Sequence, residues 1–480
     1  MTGISDLATE ILDLIFSFLT SKSDKLNTAL VCKLFRDCAE PLFYHDYVHE
    51  GGWEKETAYS LTPFIRRIIE RPDRAHFVKH VTLHKWNYDG QTRRPRAISD
   101  EDLSAFVEAA RKAGILDPTK ESDQLITDAG ITDLIDPVDG DWEDFSEPSQ
   151  AYGDTTSGHD DAEWIQQLQV GNEEPQIILL LAILPGIKSL SFTGIPRQET
   201  LSWSQLRQVA HGFRHLRNIS CTADNIGYSA SLSRIGHLMG APSLQKVFLS
   251  DGGRTGRDIS NQNITSVELT PLPVKVATFE HSDANFRTLS LFVSKCTGLE
   301  YLTLKVTNPF LRARQINATQ LKNIINTQSD SLKGLRLCLD MSRGPLELEH
   351  TRLESLSHFK NLVFLEAEQV LLLGRFLQVP QYKLRDILPS SLKGLSIGWA
   401  EENLMPHLLE LASVCDMDFG SLELLCVSFA SNPTRTKPTV SLPLAFDASR
   451  VKVIVETNRR WPVDRSPDLE AWLSKKIPEL

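Results

Sequence analysis

The chain opens with a segment whose hydrophobic positions cover most of a helical surface. Between residues 7 and 19, apolar residues recur at helical spacing and also fill the positions in between. They are Leu7, Ala8, Ile11, Leu12, Leu14, Ile15, Phe16, Phe18 and Leu19. A helix that is apolar on all sides must be covered on all sides, and a unit of about 40 residues is too small to cover it alone. The pattern therefore predicts a partner protein on the remaining face.

A second pattern, L-x-x-L-x-L with any aliphatic residue or Phe allowed, returns along the rest of the chain. Its copies are Val78/Val81/Leu83, Ile187/Leu190/Phe192, Leu216/Ile219/Cys221, Leu244/Val247/Leu249, Leu299/Leu302/Leu304, Leu332/Leu335/Leu337, Leu362/Leu365/Ala367, Leu392/Leu395/Ile397 and Leu422/Leu425/Val427. The middle positions of the last five copies lie 33, 30, 30 and 30 residues apart. Alternation within a copy predicts a short strand with one buried face, and the regular step predicts stacked repeats.

Other elements follow from the same reading. We expect a first strand at 43–49, with its helix at 61–69, and further helices at 286–296, 319–327 and 403–414. Ile264/Val267/Leu269 and Val274/Ala277/Phe279 also match the pattern but lie only 10 residues apart, so one of them is expected to be an extra strand or a shortened repeat. Ser466-Pro467-Asp468 begins a last helix and Lys475-Lys476 ends it, which predicts an end cap.

The N-terminal segment resembles an F-box. That family has an opening helix of type L-P-x-E-I-L-x-x-I-F-x-x-L, a polar turn, and a second helix that runs into V-C-K-x-F-R. This chain has T-E-I-L at 9–12, I-F-S-F-L at 15–19, S-K-S-D at 21–24 and A-L-V-C-K-L-F-R at 29–36. It departs at Ala8, where the family has a Pro that stiffens the first helical turn. The alternative is an ordinary three-helix cap on a larger domain.

The resemblance implies a Skp-type adaptor as partner, bound through the residues that match the motif. These are Leu7, Ala8, Ile11, Leu12, Ile15, Val31, Cys32 and Phe35. With the repeats, the chain resembles the F-box/leucine-rich-repeat proteins of filamentous fungi. The fold implied is α/β: a three-helix F-box followed by an irregular leucine-rich-repeat solenoid, a horseshoe of short parallel strands with helices on its convex side.

The domain boundaries that we predict are 1–44 for the F-box, 45–116 for the first irregular repeats, 117–174 for an acidic flexible insertion, 175–465 for the solenoid and 466–480 for a capping helix. The insertion holds 17 Asp or Glu residues and one Lys, so its net charge is −16. Because the whole chain has a net charge of −11, the rest of the chain carries +5. So high a charge with few apolar groups predicts a mobile segment. Trp142, Phe145 and Trp164 are expected to dock locally.

Composition narrows the class of protein. With 480 residues, 41% of them hydrophobic, the chain can build a large core. The longest apolar run, 177–184, is far shorter than the roughly 20 residues that span a bilayer. Acidic residues near the start argue against a secretory signal, and seven cysteines without a C-x-x-C pair predict reduced thiols. We therefore expect a cytoplasmic or nuclear protein that binds neither membranes nor, lacking a basic face, nucleic acid.

The sequence offers no catalytic, cofactor or metal centre, which predicts that the chain is not an enzyme. His76, His80 and His84 are spaced four apart, but the pattern Val78/Val81/Leu83 predicts a strand. At about 3.3 Å per residue, neighbouring pairs would lie about 13 Å apart, too far to share an ion. The acidic run 136–147 has Val138 and Gly140 where a calcium loop needs oxygen ligands.

Two functions fit these features. The resemblance implies a substrate-recognition subunit of a cullin-type (SCF) ubiquitin ligase, whose repeats bind a target protein. The alternative is a non-ligase scaffold bound to the same adaptor. Target contacts are expected on the concave face, at strand positions that alternate with the buried aliphatics. These positions are Tyr301, Thr303, Lys305, Arg336, Asp340, Glu366 and Glu368.

Overall fold

The computed structural model describes the greater part of the chain. The described residues are 4, 7–50, 61–84, 97–129, 161–193, 203–222, 232–250, 271–280, 286–306, 318–339, 352–353, 355–374, 383–429, 438–447, 449–456 and 466–477. The chain folds as two compact units, Met1–Leu216 and Arg217–Leu480. No helix of the described residues is long and apolar enough to cross a membrane.

The first unit begins with the three helices that the motif predicts. They are α1 (Thr9–Ser17), α2 (Lys22–Ala29) and α3 (Lys33–Tyr44). The N-cap of α2 is Ser21, whose hydroxyl accepts a hydrogen bond from the Asp24 N–H at 3.0 Å. The N-cap of α3 is Cys32, whose sulfur accepts the Phe35 N–H at 3.4 Å. The polar turn and the V-C-K sequence of the motif therefore set where the second and third helices begin.

These helices enclose a small core of their own. Leu12 and Phe16, one turn apart on α1, pack against Phe35 on α3. The rings of Phe16 and Phe35 meet edge to face, with their centroids 5.1 Å apart. Cys38 and Ala39 complete the core. So small a core leaves the other side of α1 uncovered.

The three helices continue directly into a parallel sheet. Its strands β1 (Asp46–His49), β2 (His80–His84) and β3 (Ser189–Thr193) pair in chain order. Tyr47, Val81 and Leu190 are in register and buried. The strands predicted from the first two copies of the repeat pattern and from 43–49 are confirmed. Arg74, which precedes β2 in the chain, forms an ion pair with Glu40 of α3.

The first unit has five more helices, and some of them lie in 117–174, where a flexible insertion was predicted. The helices are α4 (Leu61–Glu70), α5 (Asp100–Ala113), α6 (Ser122–Asp128), α7 (Asp161–Gln169) and α8 (Glu173–Ile183). Both ends of the predicted insertion are thus folded, and they are joined to each other: the Gln166 amide donates to the Ala129 carbonyl at 2.8 Å. Trp164 is fully buried. The high net charge of 117–174 as a whole obscured the apolar residues of α7, which form its buried side.

Two further points concern the same segment. Trp164 docks locally, as predicted, whereas Trp142 and Phe145 lie outside the described residues. The apolar run 177–184 forms most of α8, whose residues from Glu174 to Ala182 are all buried. A helix apolar all round is expected to be covered all round, and here it is.

The second unit is built from nine described strands, most of which are followed along the chain by one or two described helices. The strands are β4 (Asn218–Thr222), β5 (Lys246–Ser250), β6 (Val276–Glu280), β7 (Tyr301–Val306), β8 (Gly334–Leu339), β9 (Phe364–Glu368), β10 (Gly394–Ala400), β11 (Leu424–Phe429) and β12 (Lys452–Glu456). The helices are α9 (Leu232–Met239), α10 (Phe286–Lys295), α11 (Ala318–Asn326), α12 (Gln369–Leu373), α13 (Leu384–Ile387), α14 (Met405–Asp418), α15 (Pro438–Ala445) and α16 (Pro467–Lys476). Each strand pairs in parallel with the next along the chain.

The register reproduces the repeat pattern. The middle aliphatic of each copy faces the next across the sheet, as Leu335 pairs with Leu302 on one side and Leu365 on the other, and all three are fully buried. Of the two copies that lie 10 residues apart, the second contributes Ala277 and Phe279 to β6. Ile264/Val267/Leu269 lies outside the described residues, so the expectation of an extra strand or a shortened repeat stays a prediction. This arrangement fits a repeat solenoid. Strand β12 was not predicted.

The C-terminal helix lies across a sheet face instead of only closing the end. Leu469 and Leu473 of α16 pack with Phe364 of β9 and with Leu424 of β11. Gly394 of β10 leaves the space for Trp472, since a Cβ at this glycine would lie 2.6 Å from the Trp472 ring. The predicted end cap at 466–480 is therefore wrong in its position, because the helix covers the face that was expected to bind a target.

Candidate adaptor-binding surface

Exposed apolar side chains concentrate on the N-terminal helices. The described part of the chain has 14 large hydrophobic residues that are exposed, and 10 of them lie between Ile4 and Phe43. The ten are Ile4, Leu7, Ile11, Leu14, Ile15, Phe18, Leu26, Leu30, Val31 and Phe43. A concentration of this kind on a small folded domain is typical of a protein-interaction surface.

Helix periodicity explains why α1 has two apolar faces. Ile11, Leu14, Ile15 and Phe18 fall within about 100° of arc on a helix of 3.6 residues per turn. Leu12 and Phe16 fall on the adjoining side, where they meet Phe35 in the core. The outer stripe is solvent-exposed, with Phe18 76% exposed.

A second exposed group lies between α2 and α3. Leu30 and Val31 are 66% and 67% exposed, and Cys32 is also exposed. Leu30 closes α2 with a helical backbone, and Cys32 caps α3, so the backbone of this short connection is held at both ends. We call the stripe on α1 and these connection residues the apolar surface of the domain.

The predicted adaptor contacts divide into two groups. Leu7, Ala8, Ile11, Ile15, Val31 and Cys32 are exposed, as a direct contact requires. Leu12 and Phe35 are buried inside the domain, which corrects their assignment: they hold the helices together and offer no surface to a partner. Leu14, Phe18 and Leu30 were missed, although their helical spacing from Ile11 would have placed the first two on the same stripe.

The apolar surface has the chemistry of a protein interface and not of a reaction centre. Apart from Cys32, its side chains are aliphatic or aromatic, and burying them against a partner yields about 25 cal/mol per Å². The Cys32 sulfur accepts a hydrogen bond as the N-cap of α3. Six of the seven cysteines are buried and all are free thiols, and burial raises the pKa of Cys296 to about 12, which keeps that thiol unreactive.

The predicted target contacts have a different environment from the one expected. Arg336 and Glu366 are both buried and form an ion pair of 2.8 Å. Thr303 and Glu368 are buried as well. Tyr301 is partly buried against the cluster that includes α16. These side chains therefore have structural duties, and their assignment as exposed target contacts is wrong.

Two positions remain from that set. Lys305 pairs with Glu280 on the neighbouring strand β6, so its charge is already matched within the sheet. Asp340 lies outside the described residues. The alternation of strand residues correctly identified one face of the sheet, but it could not show that α16 covers part of it.

Comparison with known proteins agrees with the N-terminal geometry. No curated protein shows significant similarity to the chain. Residues 4–49 match the family model described as F-box-like, and these residues include α1, α2, α3 and the whole apolar surface. The N-terminal part of the chain is therefore an F-box-like domain, a kind of domain that typically binds Skp-type adaptors.

Proposed function

We propose that the chain is a substrate-recognition subunit of a cullin-type (SCF) ubiquitin ligase. The exposed apolar surface of the F-box-like domain carries this proposal, because it is the largest concentration of uncovered apolar residues in the described chain. In this proposal the surface binds a Skp-type adaptor. The second unit acts as a leucine-rich-repeat solenoid that holds a target protein.

The chain itself would catalyse no step. It would act by proximity, because a target held on the repeats has a raised effective concentration at the ubiquitin-conjugating enzyme. The buried residues Thr303, Arg336, Glu366 and Glu368 are not proposed as contacts. Residence in the cytoplasm or nucleus, where the cullin machinery works, and kinship with filamentous-fungal F-box proteins belong to the same proposal.

Support for a leucine-rich-repeat solenoid comes from the second unit. Its strands are parallel and follow chain order, described helices separate most of them, and each buried L-x-x-L-x-L copy stacks on the next. The backbone also repeats: the N–H groups of Lys333, Val363 and Lys393 donate to the carbonyls of Glu300, Lys333 and Val363 at 2.7 to 2.8 Å. Each repeat is thus fastened to the previous one by the same hydrogen bond just before its strand.

A non-ligase scaffold is the second candidate. The exposed apolar surface would serve such a scaffold equally well, because a scaffold binds the same adaptor. The two functions differ in cullin binding: a ligase subunit brings the cullin through its adaptor, and a scaffold binds the adaptor alone. Purifying the adaptor complex and adding cullin separates them.

The adaptor assignment is tested by charging the apolar surface. We expect the double variant Ile11→Asp/Val31→Asp to reduce co-purified adaptor at least about tenfold, because two carboxylates would be buried in a desolvated interface. Ile11 and Val31 are 47% and 67% exposed, so the variant should fold normally.

Exposed residues of the second unit provide a matched control. Leu409 on α14 and Leu444 on α15 are 46% and 67% exposed, and Leu409→Asp/Leu444→Asp adds the same charges to the chain. The control should retain the adaptor at wild-type yield. Retention of the adaptor by the Ile11/Val31 variant, with an unchanged melting temperature, would refute the assigned surface.

A further inference from the structure

Two histidines and an aspartate meet where the F-box-like domain continues into the sheet. His45, Asp46 and His80 each offer one ligand atom, and these three atoms lie within 4.8 Å of one another. His45 follows the last residue of α3, Asp46 opens β1, and His80 opens β2. We propose that these three residues form a binding site for a divalent transition metal, with Zn²⁺ as the ion that suits them best.

The backbone holds the three residues together independently of any ion. The carbonyl of His45 accepts hydrogen bonds from the N–H groups of Lys79 and His80, at 2.9 and 3.1 Å. Asp46 is the register partner of His80 across the parallel pair of strands, and side chains of paired residues project from the same face. His45 keeps a helical backbone, with φ −52° and ψ −43°, so strand alternation does not direct its ring to the opposite face.

The distances match the size of a zinc site. Two ligands of a tetrahedral Zn²⁺ at about 2.0–2.1 Å lie about 3.4 Å from each other, and His45 Nδ1 lies 3.2 Å from Asp46 Oδ1. The rings of His45 and His80 have centroids 4.9 Å apart and are tilted by 54°. Binding requires the three ligand atoms, which lie within 4.8 Å of one another, to move to separations of about 3.4 Å.

The donor types select the class of metal. Two imidazoles and one carboxylate suit Zn²⁺, Ni²⁺ or Cu²⁺, whereas Ca²⁺ and Mg²⁺ prefer oxygen ligands alone. The side chains of His45 and Asp46 are 42% and 52% exposed, which leaves a fourth position open to water. Lys188 lies near enough to His80 to act on it electrostatically, and its positive charge opposes a bound cation.

The sequence argument against metal binding concerned only the histidines His76, His80 and His84, and this site has a different set of ligands. His80 and His84 stand at opposite ends of β2, as the strand pattern predicts, whereas His76 lies in the helical turn Pro72–Phe77 ahead of the strand. The partners of His80 come instead from the segment after α3, which only the fold brings near. A bound ion would join the last helix of the F-box-like domain to the first two strands, and it uses no residue of the apolar surface.

The test is a Zn²⁺ titration of the full-length chain in complex with its adaptor, without a histidine tag and after treatment with a chelator. We expect one Zn²⁺ per chain by calorimetry and a higher melting temperature, since an ion that binds only the folded state stabilises it. Absorption of the Co²⁺ form should report tetrahedral coordination. His80→Ala and Asp46→Asn should each weaken binding more than about tenfold, the least expected from losing a direct ligand.

The control variant is His84→Ala, which removes a histidine from the same strand and should leave the affinity unchanged. Chelated wild type and variants should melt alike, which separates loss of the ion from loss of the fold. A simple His45–Asp46 ion pair predicts no stoichiometric Zn²⁺. That result overturns the proposal, as does binding that survives His80→Ala or is lost equally in His84→Ala.

Discussion

Ile11 and Leu12 are adjacent in the chain, yet one faces solvent and the other is fully buried. Tyr301 is likewise partly exposed, whereas Arg336 and Glu366 are buried. The residue types of all three suggested surface contacts. Residue type and alternation can be read from the sequence. The identity of the covering element cannot, because it depends on contacts between residues far apart in the chain. This is why Leu12, Phe35, Arg336 and Glu366 were assigned wrongly.

The buried ion pair gives a prediction at this scale. Replacing Arg336 by Met leaves the Glu366 carboxylate buried without this partner, and we expect a loss of about 3–5 kcal/mol in the free energy of unfolding. The double variant Arg336→Met/Glu366→Leu removes both charges and should recover part of that loss. Chemical denaturation in urea, followed by circular dichroism, measures each value.

An exposed pair serves as the control for this experiment. Lys383 and Glu410 lie 2.6 Å apart, with the lysine side chain 50% exposed. Lys383→Met should cost no more than about 1 kcal/mol, because water screens the pair. Equal costs for Arg336→Met and Lys383→Met would mean that the Arg336–Glu366 pair is solvated in solution.

At the scale of elements, the strongly periodic parts of the chain were predictable and the charged or short parts were not. The repeat copies became strands because their aliphatics alternate. The predicted helices 286–296 and 319–327 match α10 and α11 within one residue, and 403–414 matches α14 within four. α7 was missed since its apolar stripe sits in an acidic surrounding. The position of α16 was missed because an amphipathic pattern shows that one face is buried, not which surface buries it.

Gly394 offers a prediction about α16. Adding a Cβ by Gly394→Ala would place it 2.6 Å from the Trp472 ring, and overpacking of this kind costs about 1–3 kcal/mol. We expect amide hydrogen exchange in 466–477 to become on the order of tenfold faster, since 1.4 kcal/mol corresponds to a factor of about ten. The ion pair of Lys476 with Glu423 is exposed and is too weak to compensate.

Two further variants make this prediction specific. At Gly420, the nearest atom to an added Cβ would be the Asp416 carbonyl oxygen at 3.5 Å, an ordinary contact, so Gly420→Ala should leave exchange in α16 unchanged. Gly394→Ala/Trp472→Ala removes the clash with the Trp472 ring and leaves the 2.9 Å approach of the added Cβ to the Phe364 ring. Unchanged exchange in Gly394→Ala would show that α16 does not rest on β10 in solution.

At the scale of the whole molecule, the apolar surface and most of the repeats belong to different compact units. The apolar surface and strands β1 to β3 lie in Met1–Leu216, and strands β4 to β12 lie in Arg217–Leu480. In the proposed function, the chain would hold a target near whatever the adaptor brings. This linkage converts a bimolecular encounter into a local one without new contacts. The domain match and the repeat pattern were visible in the sequence, whereas the target was not.

The chain's own lysines allow the ligase proposal to be tested without knowing the target. If the adaptor brings cullin and a ubiquitin-conjugating enzyme, exposed lysines such as Lys112, whose side chain is 70% exposed, are held at high effective concentration and should accept ubiquitin. In a reconstituted reaction we expect ubiquitin on the wild type and on the Leu409→Asp/Leu444→Asp control. The Ile11→Asp/Val31→Asp variant should carry at least about tenfold less ubiquitin, because it does not bind the adaptor. Immunoblotting for ubiquitin on the purified chain provides the measurement. A wild type that binds the adaptor but neither recruits cullin nor becomes modified would identify the chain as a scaffold.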